Sequence, residues 1–206
     1  MIRPALRAIG VVQIMTGIFT VTLAAHASSP VPRESGGGQT ASQRQAVVEL
    51  ESGPHYPSGT RVGSTAAGVS FVIPDGWHGA IPPGSDTLFL ESPRLPGLGL
   101  VAIFRHIAPQ ELEAHLNEPQ VIDEGYVLHP ARSAQRSGDR ITVAYQSGGN
   151  TGRALALFGP SQNGVLYLLT GPKDRSDYYG DIVQQLAVST QFTNIGTGPG
   201  RAKDPT

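Results

Sequence analysis

An α+β domain built on an antiparallel sheet is the fold class this sequence predicts, and three observations carry the prediction. The first is a run of β-like segments joined by short turns, RITVAYQ at 140–146, RALALF at 153–158 and VLYLLT at 165–170. The second is a late stretch in which Tyr178, Ile182, Leu186 and Ser189 recur at helical spacing, with Tyr179 and Val183 beside them. The third is a series of short apolar runs upstream, broken by Pro and Gly and interrupted by one short helical pattern. Strands grouped together with few helices point to a sheet with helices packed on it, not to alternating βαβ units.

At the N-terminus, Arg3 and Arg7 precede an apolar run from Ile9 to Ala25, which ends in Ala25-His26-Ala27. That is the basic, hydrophobic and small-residue order of a signal peptide, and cleavage is expected after Ala27. The alternative is an uncleaved anchor. The run is only about 17 residues long, the short limit for a span, and Gly10, Gln13 and Gly17 weaken it. Either way the basic residues stay inside and the remainder crosses the membrane. A periplasmic or secreted location is therefore expected, with no transmembrane span once the signal is removed. Residues 28–66 are rich in Ser, Gly, Pro, Gln and Thr. They read as a disordered linker with a weak apolar patch at Val47-Val48, because little there repays the entropy of ordering. Residues 194–206 read as a loose tail for the same reason. One α+β domain is expected over 67–193.

Within it, Val69 to Ile73 reads as a strand closed by Pro74-Asp75-Gly76, Thr87 to Glu91 as a second and Gly99 to His106 as a third. Ala108-Pro109-Gln110-Glu111 opens a short helix, since proline suits a first turn. Leu112 and Leu116 share one face of it, and Glu118-Pro119 stops it. The three segments from 140 to 170 form a meander, with turns at 147–152 and 159–164; Asn163-Gly164 suits the positive φ of a tight hairpin. Val165, Tyr167 and Leu169 lie on one face of the last strand, Leu166 and Leu168 on the other, so both faces need cover. Asp174-Arg175-Ser176-Asp177 resembles a capping box and starts a helix predicted over about 175–188. Phe192 then plugs the end.

Composition excludes several chemistries. The chain has no cysteine, hence no disulfide, thiolate nucleophile or cysteine-based zinc site. Losing Arg3 and Arg7 with the signal would take the formal charge from −1 to −3. No basic stripe suggests a nucleic-acid partner. GLGLVA at 97–102 matches G-x-G-x-x-A, but a strand follows it where a dinucleotide site needs a helix. QSGGN at 146–150 echoes a serine-nucleophile loop without its histidine and carboxylate, and no G-x-S-x-G occurs. His106, Glu111 and His115 are the residues that a metal would use, although Glu111 and His115 also fit the solvent border of the Leu112/Leu116 stripe. Asp123-Glu124 and Glu111/Glu113 read as solvated edges. Tyr178-Tyr179 reads as core-facing, one ring fully and one at the rim. No catalytic, cofactor-binding or metal residue is assigned, and no cofactor is expected.

Trp77 is the only tryptophan. Just past the Pro-Asp-Gly turn, its ring can fold back over the sheet edge as an anchor. A ligand-stacking role would need it exposed in a cleft. The surrounding VSFVIPDGW at 69–77 resembles the start of the PsbP-like fold, shared by the photosystem II extrinsic protein PsbP, bacterial DcrB-like envelope proteins and Ran-binding Mog-type proteins. The order of short helix, meander and final helix ending in Ser189-Thr190-Gln191-Phe192 is similar too, over about residues 67–193. The resemblance implies an α/β/α sandwich used for binding or assembly. The histidines and carboxylates tied to metal retention in photosynthetic members match no position, so no functional residue is carried over.

The expected function is that of an exported, non-catalytic binding or assembly-accessory protein of the bacterial envelope, with an envelope or extracellular protein as partner. The alternatives are a metal-dependent hydrolase using His106, Glu111 and His115, and a small-ligand-binding protein with Trp77 in its pocket wall.

Overall fold

A large antiparallel sheet separates two hydrophobic cores. The computed structural model describes residues 46–160 and 162–193. The expected signal peptide, the first part of the expected linker (28–45) and the tail from 194 lie outside the described residues. In chain order, short strands β1 (Val48–Glu49), β2 (His55–Tyr56), β3 (Arg61–Ser64), β4 (Val69–Val72) and β5 (His78–Ala80) lead to β6 (Leu88–Glu91) and β7 (Leu98–Arg105). Helix α1 (Pro109–Leu116) follows, then β8 (Gln120–Asp123), β9 (Tyr126–Pro130) and β10 (Gln135–Ser137). The meander is β11 (Arg140–Ser147), β12 (Asn150–Phe158) and β13 (Asn163–Pro172); a single 3-10 turn leads into α2 (Ser176–Ser189), and β14 (Gln191–Phe192) ends the described chain. The fold is α+β, as the sequence predicts.

The large sheet runs β2-β5-β6-β7-β13-β12-β11-β9-β8, with β10 on the other half of the β11 edge. Strand β13 is central and paired along its length, with Val165 opposite Ile103 of β7 and Leu157 of β12. Alternation then sorts the side chains. Leu155, Leu157, Val165, Tyr167 and Leu169 pack with Ile182, Val183 and Leu186 of α2 in one core. Ala154, Ala156, Leu168, Ile141, Val143 and Tyr145 pack with Leu112 and Leu116 of α1 in the other. Leu168 is buried and Leu166 half-buried, so both faces of the meander are covered as its pattern requires.

Three sequence expectations are corrected. The linker does not extend over 46–66: β1, β3, β4 and β14 form a second, four-stranded sheet, in which Val62 is fully buried. Its apolar residues are too sparse for composition to reveal, because the support is tertiary. The Tyr56 hydroxyl accepts the Glu51 N–H at 2.7 Å, the Leu50 N–H donates to Gly63 O at 2.9 Å, and the Glu49 carboxylate accepts the Thr65 N–H at 2.9 Å. Asn163-Gly164 does not make the hairpin turn. Both residues already belong to β13, the positive φ falls on Gln162, and the Asn163 amide donates to Ala67 O. The capping box does not form either: no side chain caps α2, and the Ser176 hydroxyl accepts from Arg153 Nη2 at 3.0 Å instead.

Candidate functional site

Trp77 follows a turn in which its N–H donates to Pro74 O at 3.1 Å. Gly76 supplies the positive φ of +77°. The ring then lies in the core, 0% exposed. Its Nε1–H donates to the Tyr178 hydroxyl at 3.0 Å, and the two rings stack with centroids 6.4 Å apart. The second aromatic wall thus exists, 101 residues on in sequence. Fully buried, Trp77 lines neither of the two concavities described below, and its ring offers no exposed face for a ligand to stack on. Tyr179 is fully buried and Tyr178 half-buried, one core ring and one rim ring.

The other sequence candidates disperse. His106 lies just after β7 with φ +60°, Glu111 is exposed in the first turn of α1, and His115 lies 3.7 Å from Glu118. Among the described residues, no group of three His, Asp or Glu is placed to hold a metal ion. Asp123 is the last residue of β8, and Glu124 with Gly125, at φ +77°, makes the turn to β9. Ser147 pairs with Asn150 across the β11–β12 hairpin, so the Ser-Gly-Gly is a turn. In GLGLVA, Gly99 lies in β7 where a Cβ would meet the Leu90 Cβ at 2.8 Å. Close strand packing accounts for that glycine without a phosphate.

The phenols shifted from their ordinary range are structural. Tyr145 donates to Leu116 O at 2.7 Å, Tyr179 donates to Pro96 O at 2.7 Å, and Tyr167 bonds the Thr190 hydroxyl at 2.7 Å. Burial pushes all three hydroxyls up from 10.0; for Tyr179 the Asp174 carboxylate adds to the rise. A raised folded pKa means that their contribution is fully present below pH 10 and is lost as pH climbs toward the folded value. The expected result is a urea midpoint that is steady from about pH 8 to 9.5 and falls above pH 10. Tyr145 and Tyr167 each contribute about 1.4 kcal/mol of loss per pH unit above pH 10. Tyrosinate absorbance should rise for Tyr145 and Tyr167 only together with unfolding; their free titration in the folded protein would contradict the assignment.

Two concavities remain. The first arises because α2 packs on β12 and β13 and leaves the neighbouring face of β11 open. Thr142 and Ala144 of β11, paired to Leu155 and Arg153, floor a trough of about 460 Å³ against α2. Arg132 and Arg153 lie on its sheet side, Asp177 and Asp181 on its helix side, four apart and therefore one turn apart. None of these four belongs to an ion pair: the one pair within 4.0 Å among the described residues is His115–Glu118. The second concavity, of about 310 Å³, opens between the β1–β3 end of the small sheet and the β6–β7 hairpin, with Arg105 and Asp86 at its rim. Sequence reading missed both. The one legible signal was Arg153, a lone charge inside the otherwise apolar RALALF.

Comparison with known proteins bears on the fold. No protein-family model matches the sequence, and no curated protein matches it. Among solved structures, cyanobacterial PsbP (CyanoP) from Synechocystis sp. is similar at 14% identity and TM-score 0.45, over 66% of this chain and 93% of that one. A Bacteroides thetaiotaomicron protein is similar at 16% identity and TM-score 0.43, over 68% of this chain and 50% of that one. The Saccharomyces cerevisiae Ran-binding protein Mog1p is similar at 8% identity and TM-score 0.42, over 65% of this chain and 94% of that one. PsbP and Mog1p are among the proteins that the PsbP-like resemblance read from the sequence names, and the likeness to each is weak.

Proposed function

We propose that this chain is an exported, non-catalytic binding or assembly-accessory protein of the bacterial envelope, and that its partner is another envelope or extracellular protein. The observation that carries the binding role is the trough beside α2. Opposed charges, Arg132 and Arg153 against Asp177 and Asp181, face one open groove without neutralising each other. Such a surface suits the alternating side chains of a polypeptide partner, for which complementary charge sets register and on-rate. Export rests on the order of basic, apolar and small residues in 1–27.

Cross-linked capture from the envelope fraction tests the reading. Wild-type protein should retain a defined partner, and an Asp177→Lys/Asp181→Lys variant of unchanged melting temperature should lose it. Both carboxylates are exposed, so the fold should tolerate the change. Capture that ignores the charge reversal would overturn the trough as the interface. N-terminal sequencing of the envelope protein should begin at Ser28; recovery in the cytoplasmic fraction alone would overturn export. Stoichiometric metal lost on His115→Ala would favour the hydrolase instead.

A further inference from the structure

The cleft between the two sheets has a chemistry of its own. Helix α2 packs on β4, β12 and β13, and the hydrophobic core therefore lacks a helical lid over the end of the β6–β7 hairpin. Leu88 is 1% and Val101 2% exposed there, while Ile103, opposite Val165 in the sheet, is half-buried. These three form an apolar wall in a cleft of about 310 Å³, at the small end of the range for ligand pockets.

Two donors at its rim, on Arg105 and Ser64, are weakly engaged. Arg105 donates a single long bond, Nη1 to Ala66 O at 3.4 Å, and no carboxylate lies within 4.0 Å of it among the described residues. The Ser64 hydroxyl accepts the Ala67 N–H at 3.2 Å, and its own proton has no acceptor among the described residues. Asp86 is engaged only by the Thr87 hydroxyl at 3.5 Å and is exposed at the mouth. A guanidinium presents a planar fork that suits one carboxylate. An apolar wall beside that fork suits a short hydrocarbon or a single ring.

We infer that this cleft binds a small amphipathic carboxylate, its apolar body on Leu88, Val101 and Ile103 and its head on Arg105 and Ser64. The inference is independent of the trough beside α2: the two sites share no residue.

Amide-resolved NMR titration of the full-length protein with octanoate, octan-1-ol and octylammonium tests it. Octanoate should shift the Ser64, Leu88, Val101 and Ile103 amides saturably, and octanol should bind about tenfold more weakly, the difference made by one charge-assisted contact. Arg105→Gln should weaken octanoate by about tenfold and leave octanol unchanged. Asp86→Asn should tighten octanoate by roughly two- to fivefold, because it removes a like charge. Asp177→Lys/Asp181→Lys should leave octanoate binding as it was, so failure of the partner interface and failure of this site are told apart. The inference is overturned if no saturable shift appears at those amides, if all three probes bind alike, or if octylammonium binds best.

Discussion

Trp77→Ala is expected to lower the unfolding free energy by about 3–5 kcal/mol, the range for truncating a large, fully buried aromatic residue. Against the roughly 5–15 kcal/mol that a domain of this size has in total, that is a large share, and the urea midpoint should fall accordingly. The site has little room to collapse. The Pro74-Asp75-Gly76 turn fixes the ring's backbone, and Tyr178 across the stack is held by α2. Trp77→Phe should lose less than Trp77→Ala, because it removes the hydrogen bond and only part of the ring. It keeps an apolar ring and removes the Nε1–H donor, whose partner hydroxyl is half-buried and can turn to water. The hydrogen bond should then account for about 0.5–1.5 kcal/mol, a minor part of the whole. Native fluorescence from this single tryptophan should be blue-shifted and move red on unfolding. A native emission maximum already at the solvent-exposed position, or a loss under about 1 kcal/mol for Trp77→Ala, would remove the ring as the link between the first strands and the final helix.

What the sequence made legible follows where the information is local. The meander strands carry their own period, Ile141, Val143 and Tyr145 on one side, and their register follows once the hairpins close. Helix α2 is legible from its stripe because Ile182, Val183 and Leu186 face one core. Of the small sheet only β4 is legible, as the run from Val69 to Ile73; β1 and β3 lie side by side in parallel, and β14 joins β4 from the far end of the chain. Each is too short to show a period. Their pairing rests on contacts across the fold, such as the T-shaped approach of Phe71 to Tyr167 at 5.4 Å. Non-local pairing of this kind leaves almost no mark on a window of sequence. The candidate sites fail to show for the same reason. Arg132 and Asp181 come from separate parts of the chain, and only the way β11 projects beyond α2 places them around one groove. Arg105 acquires its cleft from Ser64 and Leu50 across the gap between sheets.

Gly171 shows the same dependence from inside the core, and its substitution is expected to have the second large effect. The sequence reading ends the third meander strand at Thr170; the structure carries β13 on to Pro172, with Gly171 opposite Thr151. A Cβ there would collide with the Tyr179 hydroxyl and lie 2.7 Å from its Cζ. The ring cannot swing away freely, because Gly97 already lets it pass: with φ +150°, a Cβ on that residue would stand 2.9 Å from Tyr179 Cε1. The hydroxyl is also committed to Pro96 O at 2.7 Å. Gly171→Ala must therefore displace the ring or the strand, at about 1–3 kcal/mol for overpacking, and it strains or breaks a buried hydrogen bond worth about 1–3 kcal/mol when left unmade. Tyr179→Phe alone should lose about 1–2 kcal/mol, chiefly the bond to Pro96. In the double variant the colliding oxygen is gone, so the loss should be smaller than the sum of the single losses by about 1–2 kcal/mol. Urea unfolding of the four proteins measures that coupling. Additivity within about 0.3 kcal/mol would mean that Tyr179 and Gly171 do not share the space that holds the final helix against the sheet.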